Sequence, residues 1–362
     1  MFCLPPQAQG GLRLHSKHGD CDPSGAGRLD GRVSPGRPRT TVRVARLIVC
    51  LDGTWNSAAP PPGVEPTNGL QIVRRVAPVA PDGLVQTVLY EPGLGVDGLG
   101  SHFAAYPGWG LSRILRRAYA RLAETWAPGD ELFLIGVSRG AFLCQNLAHW
   151  LDWGGLPQNA SAAEIDQRFE LLLRADASAL AALPSRRPVP IRFLGAFDTV
   201  AALGLPLAGL RRLTRPVAPQ LGNRLPANVA VARHALAVEE DREPFRPEIW
   251  TPPSAPGQSV EQLWLPGGHA DVCGGFGRRE LSDYALLWMM AEAERAGLAF
   301  DPLRRDDGLR PDPSVAPSPA TGVNHLMRRV HRRPLRTWPE TERLDPAAAG
   351  RGPAAKLPTL AK

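Results

Sequence analysis

Short apolar runs alternate along the chain with longer segments in which apolar residues recur at helical spacing. The short runs are bounded by Gly, Pro or Asp, which is typical of strands buried on both faces of a sheet. They predict strands at residues 46–51, 84–90, 132–135, 190–197 and 262–265. The longer segments predict helices at residues 69–76, 111–126, 141–150, 162–180, 228–238 and 281–296. This alternation indicates an α/β fold, in which helices cover both faces of a mostly parallel sheet.

The pattern is confined to residues 46–302, which predict one α/β domain. Residues 1–45 are rich in Gly, Pro, Arg and Asp and have no apolar periodicity, so we expect a disordered basic segment. Residues 303–362 form a Pro/Arg/Ala-rich C-terminal tail, which we expect to be loosely ordered except for a short helix at residues 325–333.

The formal net charge of +7 belongs to the two ends of the chain, because residues 47–302 carry a net negative charge. Basic ends can contact nucleic acid or anionic lipid, but solvated ends are the simpler interpretation, and we expect no nucleic-acid partner. The five cysteines include no C-x-x-C pair, which predicts neither a disulfide framework nor a metal centre. There is no secretory signal and no long apolar run, so we expect a cytoplasmic protein without cofactor, unless a dedicated secretion system exports it.

The sequence Gly136-Val-Ser138-Arg-Gly140 lies between a predicted strand and a predicted helix. A G-x-S-x-G in this context is the nucleophile elbow of α/β-hydrolases, in which a strained turn exposes the serine. We expect that a side chain at Gly136 or Gly140 would collide with neighbouring backbone. The free N–H groups at the start of the following helix, that of Arg139 first, face the position of a developing oxyanion.

A serine becomes a nucleophile when a histidine takes its proton and a carboxylate orients that histidine. Asp198 follows a later predicted strand, and His269 lies in a glycine-rich loop after another, which is the chain order of α/β-hydrolases. Two alternatives stay open: Asp198 caps the following turn, or Asp271 orients His269 or binds a cation. The histidines at other positions lie in the ends, in predicted helices or in a loop, and compete less well.

Asp52-Gly53-Thr54 follows the first predicted strand. One interpretation is that the N–H of Gly53 or Thr54 joins that of Arg139 in an oxyanion hole, with Asp52 supporting the turn. The other is an aspartyl-phosphate phosphatase, but Cys50 occupies the position of its nucleophilic aspartate. The Leu-rich segment 201–226 suits a lipid-touching cover over the site or an ordinary packed loop, and the packed loop is favoured.

Five motifs carry a family resemblance. In chain order they are Leu51-Asp-Gly-Thr-Trp-Asn56, Gly136-Val-Ser-Arg-Gly-Ala141, Gly195-Ala-Phe-Asp-Thr-Val200, His234-Ala-Leu-Ala237 and Pro266-Gly-Gly-His-Ala-Asp-Val-Cys-Gly-Gly275. They occur in the order of the DUF2235 family, an α/β-hydrolase domain that includes the catalytic region of type VI secretion phospholipase effectors. The resemblance implies a three-layer α/β-hydrolase fold with Ser138 as nucleophile, Asp198 as acid and His269 as base.

Two departures from the family pattern bear on function. Cys273 stands where the family's histidine motif leads us to expect glycine, and the chain looks too short for the membrane-binding region of some effectors. The sequence therefore predicts a serine hydrolase of carboxylic esters, with lipid or phospholipid acyl esters as the favoured substrate and contact with a membrane surface as one expectation. The alternatives are a small-molecule carboxylesterase or thioesterase, and a non-catalytic binding protein on the same fold.

Overall fold

The computed structural model describes residues 44–53, 64–93, 109–158, 161–184, 186–201, 221–253, 255–319 and 333–352. These ranges contain one sheet in the order β2-β1-β3-β4-β5-β6-β7, in which every neighbouring pair is parallel. The strands are β1 (Ala45–Leu51), β2 (Val85–Glu91), β3 (Glu131–Val137), β4 (Ile191–Phe197), β5 (Val229–Ala237), β6 (Ser259–Leu265) and β7 (Glu342–Leu344). The predicted α/β architecture is confirmed.

Helices cover both faces of the sheet. The described helices are α1 (Asn68–Arg75), α2 (Trp109–Thr125), α3 (Arg139–Gly154), α4 (Ala162–Leu173), α5 (Ala177–Ala181), α6 (His269–Cys273) and α7 (Glu280–Arg295). Helices α2 to α5 pack in one apolar cluster, and α1, α6 and α7 pack in another. The molecule therefore has the three layers that the sequence predicts.

The central strands explain why apolar residues run continuously through them. In β1, Leu47, Val49 and Leu51 join the cluster on one face, while Ile48 and Cys50 join the cluster on the other. Successive side chains of a strand point to opposite faces, so a strand covered on both sides needs apolar residues at every position.

The helix predicted at residues 228–238 is wrong, because this segment is strand β5. Alanine-rich composition favours a helix locally, but β5 lies between β4 and β6 and pairs with both. Ladder hydrogen bonds and burial on both faces outweigh local helix propensity here. The helix predicted at residues 162–180 is divided into α4 and α5 by Ala175, which has a φ of 52°.

The expectation of a loosely ordered tail is wrong for part of residues 303–362. Residues 342–344 form β7, which adds to the sheet edge beside β6. The side chain of Trp264 donates its indole N–H to Glu342 at 2.7 Å, and Leu335 and Trp338 pack against the small apolar cluster around Trp264. Leu335 and Trp338, two apolar residues in a segment otherwise rich in Pro, Arg and Ala, therefore help to hold this segment on the sheet.

Several sequence expectations fall outside the described residues. They concern residues 1–43, Thr54, most of the segment 201–226 and the helix expected at residues 325–333. Among the helices that the structure describes, none has the length and apolar character needed to cross a membrane.

The sheet topology fixes where a site can form. From β1 the strand order runs to β2 on one side and to β3 on the other, so a crevice is expected between the carboxyl ends of β1 and β3. Open parallel sheets bind their ligands at such switch points. Ser138 follows β3 directly and lies at this crevice, while Asp198 follows the neighbouring strand β4.

Candidate active site

Ser138 occupies a strained turn between β3 and α3. Its φ of 55° and ψ of −118° are rare for a residue with a side chain, and its N–H donates to the carbonyl of Phe197 at 2.8 Å. The predicted role of the flanking glycines in packing is confirmed. A Cβ on Gly136 would meet the Ala141 nitrogen at 2.6 Å, and a Cβ on Gly140 would meet the Leu51 carbonyl. The turn therefore requires glycine on both sides of the serine.

Three side chains from distant parts of the sequence form a continuous hydrogen-bonded chain. The Oγ of Ser138 lies 2.9 Å from Nε2 of His269, and Nδ1 of His269 lies 2.6 Å from Oδ2 of Asp198. Ser138 and His269 each expose only 8% of their surface, and Asp198 exposes none. The arrangement gives the hydroxyl a neighbouring proton acceptor and gives the imidazole a buried carboxylate.

Of these three side chains, Asp198 accepts the most hydrogen bonds. Its Oδ1 accepts the backbone N–H of Ala237 at 3.0 Å, and its two oxygens each accept a guanidinium N–H of Arg333 at 2.9 Å. Burial by itself raises the pKa of Asp198, but Arg333 and His269 outweigh burial and hold the pKa well below its usual range. Asp198 is therefore a buried carboxylate that stays ionised.

Residues that follow strand β5 fix the position of His269. Its N–H donates to Oε2 of Glu240 at 3.0 Å, and Glu240 also pairs with Arg242 at 2.7 Å. The ring of Phe245 lies against the imidazole, with 4.7 Å between centroids, and the Arg242 guanidinium lies over the Phe245 ring at 4.0 Å from its centroid. This group sets both the backbone and the ring plane of the histidine.

Asp271 lies in the same short helix but does not orient the imidazole. Its carboxylate accepts the N–H of Gly268 at 2.9 Å and the N–H of Ser318 at 3.0 Å, so it caps helix α6 and ties a later loop to it. The interpretation of Asp271 as the acid partner of His269 is therefore wrong. Its expected use as a cation ligand has no support, because backbone donors face its oxygens. Among the described residues, no three His, Cys, Asp or Glu side chains converge as a metal centre would require.

The turn after β1 differs from its expected role. The N–H of Gly53 is engaged by Oδ1 of Asp52 at 2.7 Å, so it does not face the nucleophile as an oxyanion donor. Oδ2 of Asp52 accepts hydrogen bonds from the hydroxyls of Thr67 and Tyr90, each at 2.6 Å. Asp52 thus engages a backbone donor that the sequence analysis assigned to the oxyanion hole. Thr54 lies outside the described residues.

Arg139 begins helix α3, where the first N–H groups have no partner within the helix. Its side chain is half-buried, and this burial lowers the pKa of the guanidinium to about 10. Within the described part of the chain no carboxylate pairs with it. A guanidinium that has no acidic partner among the described residues therefore adjoins the candidate nucleophile in sequence.

Cys273 occupies the position where the sequence motif led us to expect glycine. Its Sγ lies 3.5 Å from the carbonyl of Phe197 and 3.8 Å from Nε2 of His269. Burial raises the pKa of this thiol well above its usual value, so the side chain is a neutral packing group. The cysteine fills the space behind the imidazole and leaves the hydrogen bonds of His269 in place.

Three residues near the site were not identified from the sequence. Arg333 belongs to a segment in which arginine is frequent, Glu240 belongs to a charged run, and His234 lies in a strand that resembles a helix. His234 is fully buried and its Nε2 accepts the N–H of Thr199 at 3.0 Å, which fixes the turn that carries Asp198. Its place in a family-like motif was the one sign that could have drawn attention to it.

Comparison with known proteins gives one family match. The catalytic domain of Tle1-like phospholipase effectors of the type VI secretion system matches residues 45–292. An uncharacterized protein of Saccharomyces cerevisiae is 24% identical over 270 residues, which are 65% of this chain and 36% of the yeast protein.

The solved structures that resemble this chain include two at 20% sequence identity. One is an uncharacterized protein from Pseudomonas aeruginosa, with a TM-score of 0.45 over 75% of this chain and 49% of that chain. The other is the Tle1 effector bound to the VgrG spike of the type VI secretion system, with a TM-score of 0.42 over 64% of this chain and 51% of that chain. The chain thus spans about half of each solved protein and about a third of the yeast protein.

Proposed function

The chain belongs to the family of Tle1-like phospholipase effector catalytic domains, and on that premise we propose that it is a serine hydrolase of carboxylic esters, with lipid or phospholipid acyl esters as substrates. The observation that carries the proposal is the buried chain of contacts from Asp198 through His269 to Ser138, with heavy-atom distances of 2.6 and 2.9 Å. Both distances lie in the range of hydrogen bonds that transfer protons during catalysis.

In the proposed reaction, Nε2 of His269 takes the proton of the Ser138 hydroxyl while Oγ bonds to the acyl carbon. The carbonyl electron pair moves to oxygen, and the resulting tetrahedral intermediate expels the alcohol, which receives the proton from His269. Water then attacks the acyl-enzyme, its proton passes to His269, and the carboxylic acid leaves as Ser138 regains its proton. Asp198 stays ionised throughout and stabilises the imidazolium that forms in each half-reaction.

The oxyanion is proposed to bind at the start of helix α3, where the N–H of Arg139 is one donor. The second donor comes from the turn after β1. Because the N–H of Gly53 donates to Asp52 at 2.7 Å, Gly53 can serve only after that bond is released when substrate enters. Thr54 remains the other candidate donor in this proposal.

An ester that carries an anionic group is the favoured substrate. The half-buried guanidinium of Arg139 has no acidic partner among the described residues, and it adjoins Ser138 in sequence. A phosphate beside the scissile ester would supply the missing charge, as in a phospholipid. The family assignment also supports lipid, and it supports export as an effector of a type VI secretion system that acts at a membrane surface.

The test is labelling by a fluorophosphonate probe, which reacts with an activated serine. We expect wild type to be labelled and Ser138→Ala and His269→Ala to remain unlabelled. Ser178→Ala is the matched control, because Ser178 is exposed on helix α5 and is not a hydrogen-bond partner of Ser138, Asp198 or His269, and this variant should label at the wild-type rate.

A folded wild type that is never labelled would contradict the esterase mechanism and favour the non-catalytic binding protein. If labelling succeeds, vesicles of phosphatidylglycerol, neutral diacylglycerol emulsions, short-chain p-nitrophenyl esters and acyl thioesters distinguish the substrate classes. Release of fatty acid from the phospholipid alone supports the lipid proposal. Turnover confined to the small esters or thioesters supports the alternative enzymes.

A further inference from the structure

Arg333 lies beyond residues 45–292, which the family comparison matches, yet it is part of the site. Its side chain is 3% exposed and donates two parallel hydrogen bonds to the two oxygens of Asp198, both at 2.9 Å. A third donor, Nε, reaches the backbone carbonyl of Glu240 at 3.2 Å. The planar guanidinium matches a carboxylate in two places at once, which a lysine cannot do.

The rest of the C-terminal segment fixes Arg333 in this place. Strand β7 pairs with β6, and the carboxylate of Glu342 accepts the indole N–H of Trp264 as well as the backbone N–H of Arg336. Trp338 also donates its N–H to Glu342 at 2.5 Å. One buried glutamate thus ties the turn that follows Arg333 to the core of the sheet.

A buried ion pair is weak support for stability, because removing two charges from water offsets most of their attraction. Asp198 also has His269 as a partner, so Arg333 is not needed to give the carboxylate its first hydrogen bond. The second positive charge changes the electrostatics of the carboxylate that His269 faces. This effect bears on the chemistry of the histidine more than on the folding of the sheet.

We propose that Arg333 is a positioning residue of this site: it clamps Asp198 in the orientation that holds His269, and its guanidinium compensates the charge of that buried carboxylate. The catalytic unit then includes the segment 333–352 as well as the family-matched domain. The inference rests on the proposed serine-hydrolase function, which it deepens.

The neighbouring charges support this proposal. Among the described residues, the titratable and charged groups around His269 and Asp198 include Arg333, Glu240, Arg242, His234, Cys273, Asp271 and Asp52. Burial raises the pKa of Glu240, but the hydrogen bond from Arg242 outweighs burial, and the pKa is lower than its ordinary value. Glu240 and Arg242 therefore form one neutralised pair. His234 and Cys273 are uncharged near neutral pH, because burial lowers the pKa of His234 to about 4 and raises that of the thiol. Arg333 and Asp198 form the second neutralised pair.

Loss of Arg333 therefore leaves the carboxylate of Asp198, which faces His269, without its guanidinium partner. The unpaired carboxylate favours the protonated imidazole over the neutral form that accepts the Ser138 proton, so labelling should be slower at low pH. The test measures the rate of fluorophosphonate labelling from pH 5 to pH 9 in wild type, Arg333→Met and Arg333→Lys. Arg343→Met is the matched control, because Arg343 lies in the same segment and its guanidinium bonds to backbone carbonyls of its own turn.

For Arg333→Met we expect the acid limb of the labelling profile to move up by about one pH unit. The rate at its plateau should fall about 10- to 100-fold through loss of orientation. Arg333→Lys keeps the charge but not the two-point clamp, so its limb should stay near that of wild type while its plateau falls. Arg343→Met should retain both the wild-type limb and the wild-type plateau.

A folded Arg333→Met whose limb and plateau equal those of Arg343→Met would overturn the inference. If Arg333→Met does not fold, a wild-type plateau in Arg333→Lys overturns it instead. If wild type is never labelled, the proposed function fails separately, and NMR titration of the His269 ring still tests the electrostatic step. A higher titration midpoint in Arg333→Met supports that step, and an unchanged midpoint rejects it.

Discussion

Two aspartates occupy equivalent places in the sheet and differ in what surrounds them. Asp52 follows β1 and Asp198 follows β4, both strands are parallel members of one sheet, and both carboxylates are almost fully buried. The donors to Asp52 include the neutral groups of Gly53, Thr67 and Tyr90. The donors to Asp198 include the guanidinium of Arg333 and the imidazole of His269.

The comparison shows that position at a strand end does not define the role of a buried carboxylate. Neutral donors hold Asp52 as part of a turn, and they do not change protonation near neutral pH. Burial and the Asp52 charge even raise the pKa of Tyr90 well above its usual value. Asp198 instead contacts the imidazole of His269 on one side and the guanidinium of Arg333 on the other. Its charge can therefore stabilise a proton that His269 receives.

The largest expected difference is in the effect of Asp→Asn at the two positions. Asp198→Asn removes the charge that stabilises imidazolium and disturbs the tautomer of His269, so labelling of Ser138 should fall about 10⁴-fold. Asp52→Asn should lower the rate by no more than about 10-fold, since it acts through the turn and not through the histidine. Comparable losses in the two variants, measured with the same fluorophosphonate assay, would show that the two carboxylates do not differ in role.

The next difference concerns pH and stability near Asp198. Burial lowers the pKa of His234 to about 4 from an ordinary value of 6.5, and its Nε2 accepts the N–H of Thr199 beside Asp198. Because the folded state disfavours protonation, this stabilisation is complete above about pH 6.5 and is lost as pH falls toward 4. Between pH 7 and pH 4.5 the free energy of unfolding of wild type should fall about 2 kcal/mol more than that of His234→Gln.

Urea denaturation at the two pH values measures this difference. His149, whose pKa burial also lowers to about 4, is present in both proteins and cancels in the comparison. Asp198 has a depressed pKa, so its own contribution is lost only at still lower pH, below the ordinary value of 3.8. Equal losses in wild type and His234→Gln would mean that His234 can be protonated without strain.

The smallest expected effect is that of Tyr90→Phe, which removes one neutral donor from Asp52. Thr67 still donates to the same oxygen, so the free energy of unfolding should fall by about 1 kcal/mol. The labelling rate should stay within about twofold of wild type, since the histidine and its acid are unchanged. A stability loss above about 3 kcal/mol in urea would show that the Asp52 cluster depends on each donor as strongly as a charged cluster does.

The part of the site that could be predicted from sequence is the part whose physics is local or ordered along the chain. Gly136 and Gly140 reveal the strained turn at Ser138, because the steric conflict involves residues close in sequence or on the adjoining strand. Asp198 and His269 could be selected because both follow predicted strands, and parallel strands bring their carboxyl ends to one edge. Their hydrogen-bond contact agrees with that placement, while their catalytic roles remain the proposal.

The remainder depends on contacts that no local pattern records. Arg333 is one of many arginines in a Pro/Arg/Ala-rich segment, and its sequence neighbours do not distinguish it from a solvated one. Strand β5 was predicted as a helix because its alanines favour helix until β4 and β6 pair with it. The engagement of the Gly53 N–H by Asp52 depends on side-chain rotation, which the sequence motif leaves open.

The ion pair between Asp198 and Arg333 joins residues 135 positions apart, and it therefore sets an order of events during synthesis. A ribosome adds about 5–20 residues per second, so Arg333 emerges on the order of ten seconds after Asp198. Once residue 269 has been added, the nascent chain carries Ser138, Asp198 and His269 but still lacks the counter-charge of the acid and strand β7. Translation itself thus delays completion of the site until the growing chain has passed residue 333.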